Sequence, residues 1–181
     1  MKKTAVLLIL SVIFSFSIPR RDLRSTEQVA GIALDMEEGK IRATFEFYKA
    51  EPQKPIGSEK EVVSTVGGSL TECIDSAFRT FGKELFAADA AALLINGKDR
   101  EPLLKEALAY YARFSHDQMD LPVFFTQGKA GAVFGESGAV LSDSLVESAK
   151  KIHRVQTIRD LMNQKGSPVW IRGEGRYEIL S

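Results

Sequence analysis

The chain has 181 residues, 44% hydrophobic and 27% charged, with 24 basic residues balancing 24 acidic ones. That composition excludes a wholly disordered chain. The zero net charge, with basic pairs only at Arg20-Arg21 and Lys150-Lys151, gives no electrostatic footprint for nucleic acid.

Lys2 and Lys3 precede an apolar run from Ala5 to Ile18, the order of a basic region and a hydrophobic region in an export signal. The run is shorter than the roughly 20 residues that span a bilayer. Ser15 and Ser17 fit a cut after Ser17, whereas Pro19-Arg20-Arg21 keeps an uncleaved anchor open. Residues 1–18 are therefore read as a signal peptide or signal anchor, and 19–181 as a single domain outside the cytoplasm. One cysteine cannot close an internal disulfide, so this domain must be held by its core.

The first structured stretch reads as a β-hairpin. Val29, Ile32 and Leu34 mark one strand, "DMEEGK" the turn, and Gly39 the position free to take positive φ. In "IRATFEFY", Ile41, Ala43, Phe45 and Phe47 alternate with Arg42, Thr44, Glu46 and Tyr48, which predicts a half-buried strand. Residues 49–61, with two prolines and mixed charge, read as a surface loop.

"VVSTVGGSLTEC" then runs from strand through a glycine pair to a helix, the order of a phosphate loop. A loop of the Walker type needs G-x-x-x-x-G-K-[ST], so that the lysine reaches phosphate and the hydroxyl reaches magnesium. Gly67-Gly68-Ser69 has neither the spacing nor the lysine, and G-x-G-x-x-G is also absent. Ser69 and Glu72 instead spell a capping box. Leu70, Ile74, Ala77, Phe78 and Phe81 follow at helical spacing, and Gly82 closes the helix.

"AALLI" (91–95) reads as a buried strand followed by the turn "NGK", and "REPLLKEALAYYARF" (100–114) as an amphipathic helix with Pro102 in its first turn. "LPVFFT" is a further strand. Glycine-rich 128–138 follows it, either a binding loop or a turn-rich connection. Residues 142–166 carry a helical pattern, broken near His153 and closing at Gly166. "SPVWIRGEGRYEIL" predicts two short strands about Gly173-Glu174-Gly175. The sum is an α+β fold: a mixed β-sheet with an N-terminal hairpin and about three packed helices.

Little in this chain points to catalysis. Cys73 lies at the edge of an apolar helical stripe, where a small buried hydrophobe is the usual role, and neither His116 nor His153 is near it in sequence. "SHDQMD" (115–120) holds His116, Asp117 and Asp120 in a polar segment that suits a solvated loop better than a metal site. No catalytic, cofactor-binding or metal-binding residue is expected, and the chain is not expected to be an enzyme.

The order of these segments resembles the N-terminal region of the Ger(x)C family, the C subunits of spore germinant receptors. The matching stretches are "RRDLRSTEQVAGIALD", "GKIRATFEF", "GGSLTECIDSAFRTFGKELFAADAAALLI", "LPVFFTQGKAGAVF" and "TIRDLMNQKGSPVW". The resemblance implies a non-catalytic extracytoplasmic subunit that works in germination through contacts with integral-membrane A and B type subunits at the membrane surface. By the same resemblance it lies at the spore inner membrane, uses no cofactor and binds no nucleic acid. Two departures accompany it. Family members carry a lipid-accepting cysteine just after the signal, where this chain reads "FSFSIPRRD", and they continue into a further domain that makes them about twice as long. Two other readings are an exported small-ligand module using 128–138 and a hydrolase using Cys73 or the His116 region.

Overall fold

The computed structural model describes residues 26–49, 55, 59–81, 84–86, 90–114, 118–135, 138–152 and 155–180. Residues 1–18, read as a signal peptide or anchor, and His116, Asp117 and His153 lie outside them.

Strand β1 (Thr26–Glu37) turns at Glu38-Gly39, both at positive φ, into β2 (Lys40–Tyr48), and β3 (Lys60–Gly67) returns antiparallel beside β2. Helix α1 (Leu70–Phe81) and the short β4 (Glu84–Phe86) lead to β5 (Ala92–Asn96). A single 3-10 turn at 97–99 opens α2 (Arg100–Phe114), after which β6 (Val123–Thr126) enters the sheet. Helices α3 (Ser142–Ile152) and α4 (Ile158–Met162) precede β7 (Val169–Arg172) and β8 (Glu178–Leu180).

The sheet runs β3-β2-β1-β5-β6-β7-β8, with β4 adding in parallel beside the start of β1. Its centre, β1-β5-β6-β7, is parallel, while both flanks are antiparallel hairpins. This is the mixed α+β sheet that the early hairpin and the later strand-helix alternation imply. Strands covered on both faces read as unbroken apolar runs, and all of β5 and β6 is buried.

The two faces have separate cores. On one, Leu70, Cys73 and Ala77 of α1, Leu103, Ala107 and Tyr111 of α2 and Ile158 of α4 meet Ile32, Leu34, Phe45 and Phe125. On the other, Ala130, Val133 and Phe134 with Leu145, Val146 and Ala149 of α3 cover Ala33, Leu94, Phe124, Val169 and Ile171. A bulge between Val29 and Gly31 shifts the phase of β1, which puts Val29 on the same face as Ile32 and Leu34.

One local expectation is corrected and two details are added. β2 is not half-buried: Thr44 and Glu46 on its polar face are 3% and 0% exposed, because Gly131 lies against Thr44 and Leu141 and Ser142 lie over Glu46. The break read near His153 divides the 142–166 helical pattern into α3 and α4, giving four helices among the described residues. Thr157 starts α4 with a full capping box to Asp160, and Gln164 at φ 55 stops it before Gly166. Finally, β4 carries no alternation of its own and was not legible; it forms where the start of β1 offers a free edge.

Candidate functional site

The glycine pair at 67–68 sits where a phosphate loop would present amides. In the structure those amides are already taken. Ser69 Oγ accepts from Glu72 N at 3.2 Å, Glu72 Oε2 accepts from Gly68 N at 2.8 Å, and Glu106 Oε1 of α2 accepts from Leu70 N at 3.0 Å. Two of the protein's own carboxylates thus occupy the electropositive start of α1. Gly67 is required by packing, since a Cβ there would stand 2.9 Å from Glu72 Cβ.

Cys73 is fully buried, and its Sγ donates to Ile41 O at 3.3 Å. Burial away from water pushes its pKa up, the reverse of what a nucleophilic thiolate needs. Asp120 is exposed and paired with Arg159 at 3.0 Å. Among the described residues no group of three or more His, Cys, Asp and Glu is placed to hold a metal.

Within the 128–138 stretch, residues 130–135 form a packed strap. Ala130, Val133 and Phe134 are buried around a 3-10 turn at 131–133, and the turn is held from below by Asp35 at the end of β1. Asp35 Oδ1 accepts from Ala130 N at 2.8 Å and from Asn96 Nδ2 at 2.9 Å, while Oδ2 accepts from Gly131 N at 2.9 Å. A Cβ on Gly131 would stand 2.6 Å from Thr44 Oγ1, so only glycine lets the strap come this close. Gly128 and Lys129 remain exposed beside an open depression of about 570 Å³ of mixed charge, shared with Arg172, Glu174 and Arg176.

The far end of the strap is held by a second buried carboxylate. Glu46 Oε1 accepts from Leu141 N at 2.8 Å, and Oε2 accepts from Ser142 N at 3.0 Å and Ser142 Oγ at 2.6 Å. These are the free amides at the start of α3, where a carboxylate is favoured. Lys60 Nζ stands 3.3 Å from Glu46 Oε1 and donates to the Phe134 carbonyl, with both charged side chains almost without solvent contact.

In parallel sheets, ligands collect outside the carboxyl ends of the strands. Here that end of β1 and β5 is filled by the strap, tied to Asp35, which Asn96 of β5 holds in turn. Sequence reasoning placed Glu46 on the polar face of a half-buried strand and read Asp35 as the first residue of a turn. Their partners lie some 95 residues away, so no local pattern could reveal them. The usable signal was an acid inside the apolar run "FEF".

A family model described as the spore germination protein N-terminal domain matches residues 19–164. The chain belongs to this family. It is a Ger(x)C N-terminal domain, and with the family comes a general role as a germinant receptor C-type protein in spore germination. The family is one of receptor subunits rather than a known enzyme family. The Ger(x)C match ends before β7, so the last two strands complete the sheet beyond it. Searches of curated proteins and of solved structures returned no match. Among the described residues no helix of this Ger(x)C domain is long and apolar enough to cross a membrane.

Proposed function

We propose that the chain is a non-catalytic, extracytoplasmic subunit of a spore germinant receptor, acting through contacts with integral-membrane A and B type subunits. The observation that carries this reading is the family match over residues 19–164. The basic and apolar leader at 1–18 supports export, as a cleaved signal or as an anchor at the spore inner membrane. The use of Asp35 and Glu46 supports a structural role for the buried acids. Every oxygen of both carboxylates accepts from a backbone or side-chain donor within the fold.

A deletion tests this reading. Spores lacking the chain should germinate slowly or not at all with the germinant of the cognate receptor, and a plasmid copy should restore the response. Normal germination with every germinant to which the parent spores respond would contradict it.

A further inference from the structure

Asn96 and Gly97 stand at the end of β5, beside the Asp35 carboxylate that anchors the strap. They form the only Asn-Gly pair in the chain, since the other asparagine, Asn163, is followed by Gln164. Asparagine is thermolabile, and most so before glycine, where no side chain hinders the following nitrogen. The reaction needs only water. Gly97 N attacks the Asn96 side-chain carbonyl carbon and gives up its proton, ammonia leaves, and a succinimide ring closes. Water then opens the ring at one carbonyl or the other, leaving aspartate or isoaspartate; nothing is oxidised or reduced.

The fold holds this pair in an unreactive form. Ring closure requires Gly97 N to eclipse the Asn96 Cβ about the Cα–C bond, and at ψ 118° the two are well apart. Both polar atoms of the side chain are engaged elsewhere. Nδ2 donates to Asp35 Oδ1 at 2.9 Å, and Oδ1 accepts from Lys98 N at 3.0 Å. Gly97 is packed so closely against the Trp170 indole and the Thr126 carbonyl that a Cβ would stand 2.7 Å from that oxygen.

The same contacts decide what each product does. Asp35 Oδ1 also accepts from Ala130 N of the strap. Aspartate at 96 exchanges the amide donor for a second carboxylate beside Asp35, so a hydrogen bond becomes a like-charge contact in a buried place. Isoaspartate adds a backbone carbon next to Gly97, where the packing leaves no room for one.

We propose that Asn96-Gly97 is a spontaneous modification site gated by the strap anchor. It stays intact while Asn96 is bound to Asp35, and once deamidated it no longer supports that anchor, so the strap stays loosened. Neither the receptor role nor any partner enters this chemistry, and its test is separate from theirs.

The purified protein is incubated in mildly alkaline buffer, folded and in guanidinium, and deamidation is followed by mass spectrometry of the tryptic peptide that ends at Lys98. The unfolded chain is expected to convert at least about tenfold faster than the folded one, whose side chain must first give up two hydrogen bonds. A folded Asp35→Ser protein should convert faster than the folded parent. Chain deamidated in guanidinium is refolded and parted from intact refolded chain by ion exchange, through its added negative charge. Amides 130 and 131 should exchange faster in the deamidated fraction. Equal rates in the folded and unfolded chain, or no conversion in the unfolded chain, would overturn the proposal whether or not the variant folds. Equal protection of amides 130 and 131 in the two fractions, or an unchanged rate in folded Asp35→Ser, would overturn it as well.

Discussion

Glu46 and Lys60 show how charge is used inside this protein. Both are almost free of solvent, and Glu46 also receives the amides of Leu141 and Ser142. Removing one partner of a buried pair leaves the other uncompensated, at about 3–5 kcal/mol. Glu46→Ala should lose about that much in urea denaturation, because it strands the Lys60 ammonium and the start of α3 together. Lys60→Met should cost less, since Glu46 keeps its backbone donors; equal losses would show that the amides contribute nothing. Tyr111 poses the opposite case. It is fully buried, and its hydroxyl has no hydrogen-bond partner among the described residues. Tyr111→Phe should therefore be neutral or stabilising by about 1 kcal/mol, read as a rise in melting temperature. Burial raises the pKa of Cys73 from its ordinary 9.0 and that of Tyr111 from 10.0. Above those values the unfolded chain releases protons that the folded chain keeps, so stability falls as pH rises. The loss should begin near pH 9 for Cys73 and near pH 10 for Tyr111, with a slope of at most about 1.4 kcal/mol per pH unit for each group. Below pH 8 neither group contributes a slope. A Cys73→Ala, Tyr111→Phe double variant should flatten the alkaline limb in denaturation curves across pH.

At the scale of elements, the strap joins parts of the chain that are far apart in sequence. It is tied to β1 by Asp35, to β2 by Glu46, and to the β7–β8 turn by Gly175 N donating to Ala132 O at 2.9 Å. Gly135, at φ 63, faces Gly175 so closely that a Cβ would stand 2.6 Å from its Cα. Gly135→Ala should cost about 1–3 kcal/mol, from the left-handed backbone and the overpacking together. Amide exchange should quicken first at residues 173–177, while α1 and α2 keep their protection. Uniform quickening would instead mean that the strap does not hold the hairpin separately. The same geometry explains what could be read in advance. Local periodicity exposed β1 and β2, α1 and α2, and the strands at 92–96 and 123–126, because each buries a face whose spacing is written in consecutive residues. The packed strap, β4 and the buried acids depend on partners elsewhere in the chain, and pattern alone leaves them open. The capping box at Ser69 and Glu72 was legible, since both halves lie within one turn; the one at Thr157 and Asp160 was equally local and went unread inside a longer helical pattern.

For the molecule as a whole, β7 and β8 follow the family match yet belong to the same sheet. Val169 and Ile171 are 4% and 0% exposed against the α3 core, and Tyr177 shares a hydroxyl hydrogen bond with Ser148 at 2.9 Å. Burying each such aliphatic side chain contributes about 1.5–3 kcal/mol. A chain ended at residue 164 should therefore lose cooperative unfolding or drop well below the parent in urea midpoint, whereas one ended at 180 should keep it. A sheet that uses its buried acids to hold its own segments together leaves its outer surface for function, which is how a receptor subunit would work. The measurement that tests this most directly is affinity isolation of a tagged copy from detergent-extracted spore membranes. Multi-span A and B type subunits should co-elute with it in fixed proportion; a chain that elutes alone, from spores in which those subunits are abundant, would contradict the account.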